Sequence, residues 1–163
     1  MKIKVFNEED IQIYKPTEKH IVISVQDPMS LFVTLPENPN RLDCLGLHFY
    51  DLDEDIGQFP YSRYIFTINN ANTILNFVVD YKNVVDLILV NCVAGISRSA
   101  GIAAALSKIY NGDDSFYFKK YLPNMLVYRT ILQQWEERNK LKLWEIAYLY
   151  YLGEIKEENE KII

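Results

Sequence analysis

The sequence predicts an α/β fold, in which a central, mostly parallel sheet is flanked by helices. Residues 84–90 form a short apolar run, Val-Val-Asp-Leu-Ile-Leu-Val, which is typical of a buried parallel strand. Residues 68–81 carry apolar side chains at helical spacing, and residues 99–110 are rich in helix formers. Strands that alternate with helices in this order indicate a parallel sheet with right-handed crossovers.

Three further strands are predicted in the first fifty residues, over residues 3–6, 20–25 and 45–50. The first two strands are separated by the polar stretch 7–19. Residues 28–44 contain three prolines and therefore predict an irregular connection before the third strand.

Two helices are predicted near the C-terminus, over residues 123–138 and 141–160. The second helix carries an aromatic stripe around Trp144 and Tyr148, which we interpret as core packing. We expect a monomer, with pairing of two chains through this helix as the alternative.

Composition and length predict one compact domain over residues 1–163, with a core at about 20–138 and a C-terminal helical extension at 139–163. The chain is 49% hydrophobic and 24% charged, which is ordinary for a globular domain. Its net charge of -5 weighs against nucleic acid or anionic lipid as partners, because those partners select basic faces. No signal peptide and no membrane-spanning apolar run are visible.

Two cysteines do not make a disulfide framework, so a reducing, cytoplasmic setting is expected. A disulfide between Cys44 and Cys92 is an alternative to an inert Cys44 thiol. The two histidines, His20 and His48, lie in separate strand-like runs and lack further metal-binding neighbours. We therefore expect no metal site and no cofactor.

The most informative segment is the loop 92–98, which connects the predicted strand 84–90 to the predicted helix 99–110. Unpaired amides and the positive end of the macrodipole converge at such a helix start and favour an anion. Gly95 allows the loop to curl, and the guanidinium of Arg98 matches two phosphate oxygens. The same positive field favours the thiolate form of Cys92, which is a nucleophile.

The segment Cys92 to Ser99 resembles the signature loop of the cysteine-dependent protein tyrosine phosphatase superfamily, His-Cys-x5-Arg-[Ser/Thr]. Residues 21–135 resemble a small, atypical dual-specificity-like phosphatase of the bacterial and phage type, including the Pro123-Asn124 step. The resemblance implies the protein tyrosine phosphatase-like fold. It also implies hydrolysis of phosphomonoesters through a phosphocysteine intermediate.

Carried over to this sequence, the resemblance makes Cys92 the nucleophile and Arg98 the phosphate clamp. Ser99 matches the hydroxyl that assists breakdown of the intermediate. The implied phosphate cradle consists of the backbone amides of Val93, Ala94, Gly95, Ile96, Ser97 and Arg98.

The sequence departs from the signature at Asn91, where the family usually has histidine. Asparagine can donate hydrogen bonds, but it has no cationic form with which to acidify the thiol. An active enzyme and a catalytically weak or inactive phosphate-binding module are therefore both open.

A phosphatase of this kind also needs a general acid to protonate the leaving oxygen. The family supplies it from an aspartate on a loop after an upstream strand. In this sequence the strand 45–50 runs into Asp51, Asp53 and Asp55, all of them candidates. Alignment of the strand ends favours Asp53, with Asp51 next, and a solvated acidic loop is the alternative.

The expected substrate is a phosphorylated protein or peptide that carries phosphotyrosine, phosphoserine or phosphothreonine. Phosphoinositides and RNA 5′-phosphates are alternative substrates within the same superfamily. A nucleotide-binding P-loop is a poor third choice, because the sequence contains no Gly-x4-Gly-Lys-[Ser/Thr].

Overall fold

A computed structural model describes residues 1–53 and 61–151 of the chain. The strands are β1 (Lys2–Phe6), β2 (His20–Gln26), β3 (Arg41–His48) and β4 (Leu87–Asn91). The helices are α1 (Glu8–Ile13), α2 (Ile68–Tyr81), α3 (Arg98–Asn111), α4 (Ser115–Lys120) and α5 (Met125–Tyr151), with a 3-10 turn at Tyr61–Tyr64.

The four strands form one parallel sheet in the order β1-β4-β2-β3. Ile3 of β1 and Ile21 of β2 lie on either side of Ile88 of β4, and Cys44 of β3 lies opposite Val22 of β2. Because every pair is parallel, all four carboxyl ends meet at one edge of the sheet. The prediction of an α/β fold with a parallel sheet flanked by helices is confirmed.

Each face of the sheet has its own apolar layer. The face covered by α2, α3 and α5 contributes Ile21, Ile23, Val25, Ile88 and Val90 to the main core. The opposite face packs Val22, Leu87 and Leu89 against Ile11 of α1. β2 and β4 carry apolar side chains on both faces, as expected for strands that are buried on both sides.

The N-terminal half of the structure differs from the sequence patterns at three places. β1 lies before the range 20–138 assigned to the core, yet it pairs along its whole length with β4. The polar stretch 7–19 contains α1, which is capped by Asn7, whose side chain accepts a hydrogen bond from the amide of Asp10. β3 begins at Arg41, inside the segment 28–44 predicted to be irregular, because it adds to the edge of β2.

The C-terminal region is one helix in the structure, which corrects the prediction of two. No glycine or proline lies between residues 125 and 151, so nothing ends the helix near residue 139. Trp144 and Tyr148 are exposed, so the interpretation of their stripe as core packing is wrong. Residues 152–160 of the predicted second helix lie outside the described residues. Over residues 1–53 and 61–151, no helix is long and apolar enough to cross a membrane.

Candidate active site

The loop that follows β4 lies in the middle of the carboxyl edge of the sheet, because β4 is flanked by β1 and β2. Cys92 is the first residue after β4, and α3 begins six residues later at Arg98. The ends of the other strands lie around this loop, with Phe6 as the last residue of β1, Asp27 directly after β2 and Phe49 directly after β3. The fold therefore brings four distant parts of the sequence to the thiol of Cys92.

The loop is curled and braced by the connection between β1 and α1. Gly95 has a φ of +67°, a left-handed conformation that L residues rarely adopt. A Cβ atom at this position would lie 2.5 Å from the backbone nitrogen of Asn7. The amide of Glu8 donates to the carbonyl of Val93 at 3.3 Å, and the amide of Cys92 donates to the carbonyl of Phe6 at 3.4 Å.

The amides of residues 93–98 donate to no acceptor in the described part of the chain. They lie between the end of a buried strand and the start of a 14-residue helix. Free amides at a helix N-terminus, together with the positive end of its dipole, bind anions. The curled loop is therefore suited to a tetrahedral oxyanion.

Arg98 is the buried cation of the site, with a side chain that is 6% exposed. Its Nη1 atom donates to Asp27 Oδ1 at 2.7 Å and to the carbonyl oxygen of Phe49 at 2.8 Å. Its Nε atom is buried and has no partner in the described residues. One edge of the guanidinium is therefore anchored by the protein, and a second donor is left for a ligand.

The nucleophile predicted from the sequence lies at the base of this arrangement. Cys92 is buried, and its Sγ atom is 3.0 Å from the Oγ atom of Ser99 in the first turn of α3. A hydroxyl at this distance can donate a hydrogen bond to a thiolate and stabilise its charge. The structure thus brings Cys92 and Ser99 into contact, on the same loop and helix start as Arg98.

The two described candidate acids occupy different positions. Asp51 Oδ1 accepts hydrogen bonds from Ser97 Oγ at 2.7 Å and from Asn124 Nδ2 at 2.8 Å. Asp53 Oδ1 instead accepts from the backbone amide of Met125 at 2.7 Å, at the start of α5. Asp51 is therefore held against the loop, whereas Asp53 caps a helix. Asp55 lies outside the described residues.

Asn124 is a buried positioning residue that sequence reasoning did not identify as part of the site. Its side chain donates to Asp51 and to the carbonyl of Leu52, and it accepts from the amide of Val127. Its own amide donates to the carbonyl of Ser97 at 3.1 Å. One asparagine thus links the acidic loop, the loop after β4 and the start of α5. The signal in the sequence that could have identified Asn124 is its place at the start of a helix, where asparagine is a common cap.

Asp27 is the second residue of the site that the sequence did not single out. It follows β2 in the pair Asp27-Pro28, which marks only the end of a strand at the level of sequence. Its role as the partner of Arg98 depends on a contact between residues 71 positions apart.

Asn91, the departure from the signature, is buried at the end of β4. Neither polar atom of its side chain has a partner in the described part of the chain. Its register neighbour on β2 is Ser24, whose hydroxyl is likewise buried and without a partner there. The residue directly before the nucleophile is therefore polar and uncharged.

The two cysteines are free, and the sheet keeps them apart. Cys44 lies on β3, which is separated from β4 by β2. Across the sheet, Cys44 is in register with Leu89 of β4 and not with Cys92. Two strand spacings amount to about 10 Å, which exceeds the reach of a disulfide of roughly 7 Å. The alternative of a Cys44–Cys92 disulfide is wrong for this fold.

Burial raises the pKa of the Cys44 thiol, which disfavours its reactive thiolate.

The histidines have backbone partners in the structure. His20 Nδ1 contacts the carbonyl of Glu18, and His48 Nε2 contacts the carbonyl of Ser30. Among residues 1–53 and 61–151, no group of three histidine, cysteine or acidic side chains is arranged to hold a metal ion.

Comparison with solved structures gives a crystal structure of PTPMT1 in complex with PI(5)P, at a TM-score of 0.51 and 16% identity. The match covers 76% of this chain and 80% of that chain. The chain has a protein tyrosine phosphatase-like fold. At this identity the likeness concerns the fold.

Two human structures are also similar. DUSP28 has a TM-score of 0.49 at 17% identity, over 86% of this chain and 94% of that chain. A tyrosine phosphatase-like serine/threonine/tyrosine-interacting protein has a TM-score of 0.48 at 19% identity, over 76% and 78% of the two chains. No protein-family profile and no curated protein sequence matches the chain.

Replacement of Gly95 by alanine is expected to destabilise the loop. The left-handed backbone costs an L residue about 1–2 kcal/mol, and overpacking of the new Cβ against Asn7 adds about 1–3 kcal/mol. Urea unfolding should therefore show a loss of about 2–5 kcal/mol. The control, Ala94→Gly in the same loop, should lose no more than about 1 kcal/mol. A Gly95→Ala protein as stable as the wild type would contradict this loop conformation.

Proposed function

We propose that this protein hydrolyses phosphate monoesters through a phosphocysteine intermediate on Cys92. The observation that carries the proposal is that the buried Nε atom of Arg98, on the same loop as a buried cysteine, has no partner among the described residues. A buried cation whose Nε and Nη2 groups have no partner among the described residues, next to the loop amides of residues 93–98, favours a dianionic phosphate. The similar fold of PTPMT1 supports the proposal.

In the first step the thiolate of Cys92 attacks phosphorus, in line with the leaving oxygen. The S–P bond forms as the P–O bond breaks, and the electron pair of the broken bond remains on the leaving oxygen. Arg98 Nε and the loop amides stabilise the negative charge on the three equatorial oxygens of the transition state. Asp27 and the Phe49 carbonyl hold the guanidinium in the required orientation.

We assign the role of general acid to Asp51 rather than Asp53. Asp51 contacts Ser97 inside the loop, whereas the Asp53 oxygen is occupied by the Met125 amide. Two hydrogen bonds to Asp51 Oδ1 leave Oδ2 available to carry the proton that the leaving oxygen receives. Asn124 acts through Asp51 and is a positioning residue.

In the second step water attacks the phosphocysteine, and Asp51 accepts the proton of the water molecule. The S–P bond breaks and its electron pair returns to sulfur. Ser99 Oγ is 3.0 Å from Sγ and donates a hydrogen bond to the thiolate as it forms. Inorganic phosphate is released and the enzyme returns to its initial state.

The proposed substrate is a phosphorylated protein or peptide. The exposed side chains of the loop, Val93 and Ile96, are apolar, which favours a phosphate carried on an apolar or aromatic group. Arg98 is the only cation of the loop; its carboxylate partner is Asp27, and Asp51 contacts Ser97 of the same loop. Acidic surroundings disfavour polyphosphorylated substrates such as phosphoinositides or RNA 5′-triphosphates, because additional phosphates need additional cations. A reducing cytoplasm is the proposed setting, since oxidation would inactivate Cys92.

The binding-only alternative is favoured by Asn91, which cannot supply a cation beneath the thiol. In that case the loop would recognise phosphate without hydrolysing its esters.

Turnover of p-nitrophenyl phosphate distinguishes the two functions. The wild type should hydrolyse the ester, and Cys92→Ser should reduce hydrolysis to the uncatalysed rate because the nucleophile is lost. Arg98→Lys should lower kcat/KM by about 10²-fold, since a bidentate, charged contact is lost. The control variant Cys44→Ser should retain wild-type activity, because Cys44 lies on β3 away from the loop.

Tungstate binding separates loss of chemistry from loss of the site. Cys92→Ser should still bind tungstate and gain thermal stability from it, because the amides and Arg98 are unchanged. Wild-type protein that binds tungstate without any turnover would support the binding-only function. Turnover that persists in Cys92→Ser would contradict the proposed mechanism.

Leaving-group dependence identifies the general acid. Asp51→Asn should lower kcat on phenyl phosphate by about 10²–10⁴-fold, because a poor leaving group needs protonation. The effect should be much smaller on a substrate with an acidic leaving group, such as p-nitrophenyl phosphate. The matched variant Asp53→Asn should show no such difference between the two substrates. The reverse pattern would transfer the role to Asp53.

A further inference from the structure

The second half of α5 leaves the domain and carries large apolar side chains into solvent. Residues 141–149 are exposed or half-buried throughout, in contrast to the first turns of the helix, which pack on α2 and α3. The exposed apolar side chains are Leu141 (68%), Leu143 (66%), Trp144 (75%), Ile146 (46%), Tyr148 (61%) and Tyr151 (84%). Between residues 143 and 151 the only charged residue is Glu145.

Such a surface is unusual for a monomer. Helices that are apolar on most of their circumference are normally buried, and contiguous exposed apolar patches mark interaction sites. The described residues provide no element that covers this end of α5. Because the exposed side chains lie on a regular helix, their spacing determines how a partner can pack against them.

One line of these side chains has the spacing of a coiled-coil seam. Leu141, Trp144, Tyr148 and Tyr151 follow each other at intervals of three, four and three residues, which places them along one side of the helix. We call these four residues the α5 stripe. The spacing reads the same in both directions, so the stripe is complementary to an antiparallel copy of itself. In that arrangement Leu141 meets Tyr151 of the second copy, and Trp144 meets Tyr148.

We propose that this protein forms a homodimer in which the α5 stripes of two chains pack against each other in antiparallel orientation. A two-fold interface requires one patch that is complementary to itself, which the α5 stripe provides. Its three aromatic side chains can bury about 450–750 Å² per chain, and Leu141 adds to this area. Stable interfaces bury roughly 800 Å² per partner, so the stripe approaches the required size.

The charges near the stripe favour a second chain over a lipid surface. Helices that lie on membranes have a polar face rich in lysine and arginine. Here Lys140, Lys142 and Glu145 are mixed, and the whole chain carries a net charge of -5. An anionic bilayer would repel this protein, whereas a second copy presents the same apolar stripe.

The dimer leaves the proposed active site open. α5 begins at Met125, whose amide contacts Asp53, while the stripe begins sixteen residues later. At about 1.5 Å per residue, the stripe starts roughly 24 Å along the helix from the site. Substitutions in the stripe should therefore leave turnover per chain unchanged, which also provides a check on folding. The proposal does not depend on the proposed function.

Sedimentation velocity of the full chain tests the dimer. The wild type should sediment as a species of twice the 19.1 kDa of one chain at micromolar concentrations. The double variant Trp144→Glu/Tyr148→Glu should sediment as a monomer, because it buries charge in the centre of the interface. The matched control Ile146→Glu changes an exposed apolar residue on the opposite side of the helix and should remain dimeric.

Tryptophan fluorescence provides a second readout. Trp135→Phe leaves Trp144 as the only tryptophan, and its emission should shift to longer wavelength on dilution as the dimer dissociates. A wild type that is monomeric at every concentration would overturn the proposal. So would a monomer that sediments with anionic vesicles, or an Ile146→Glu variant that dissociates as readily as the double variant.

Discussion

The buried guanidinium of Arg98 is the interaction on which the site depends. Removal of a charge from water costs several kcal/mol unless partners replace the lost hydration. Asp27 and the Phe49 carbonyl are these partners, and they follow β2 and β3, the two strands beyond β4. The parallel sheet therefore fixes the side chain by placing three strand ends at one edge. The Nε atom of Arg98, which has no partner among the described residues, is the donor that we propose for the bound anion.

Two local features of the same region are energetically unfavourable. Gly95 adopts a left-handed conformation against the β1–α1 connection, and Asn91 buries an amide without a partner in the described residues. A buried polar group without a partner costs about 1–3 kcal/mol. The apolar strands β2 and β4, in which Ile21, Ile23 and Ile88 are fully buried, stabilise the fold around these features. The surrounding core thus stabilises a loop whose own conformation is unfavourable.

Local signals in the sequence predicted the parts of the site that lie within one segment. Cys92, Arg98 and Ser99 fall within eight residues of each other, and their strand and helix flanks are strongly patterned. Asp27 and Asn124 were not identified, because their roles depend on contacts between residues more than 70 positions apart. The continuous α5 was missed because a change of apolar pattern near residue 139 resembles a boundary, although no helix breaker is present. β3 was placed too late because charged residues, Arg41 and Asp43, interrupt the apolar pattern of its first residues, and pairing with β2 decides their conformation.

A crystal structure with orthovanadate bound tests the central claim most directly. Vanadate adopts the geometry of phosphoryl transfer, so the account predicts a vanadium atom bonded to Cys92 Sγ. It also predicts an equatorial oxygen on Arg98 Nε and the Asp51 carboxylate next to the apical oxygen. A loop that binds no vanadate, or a Cys92 sulfur turned away from Arg98 in the vanadate-soaked crystal, would contradict the account.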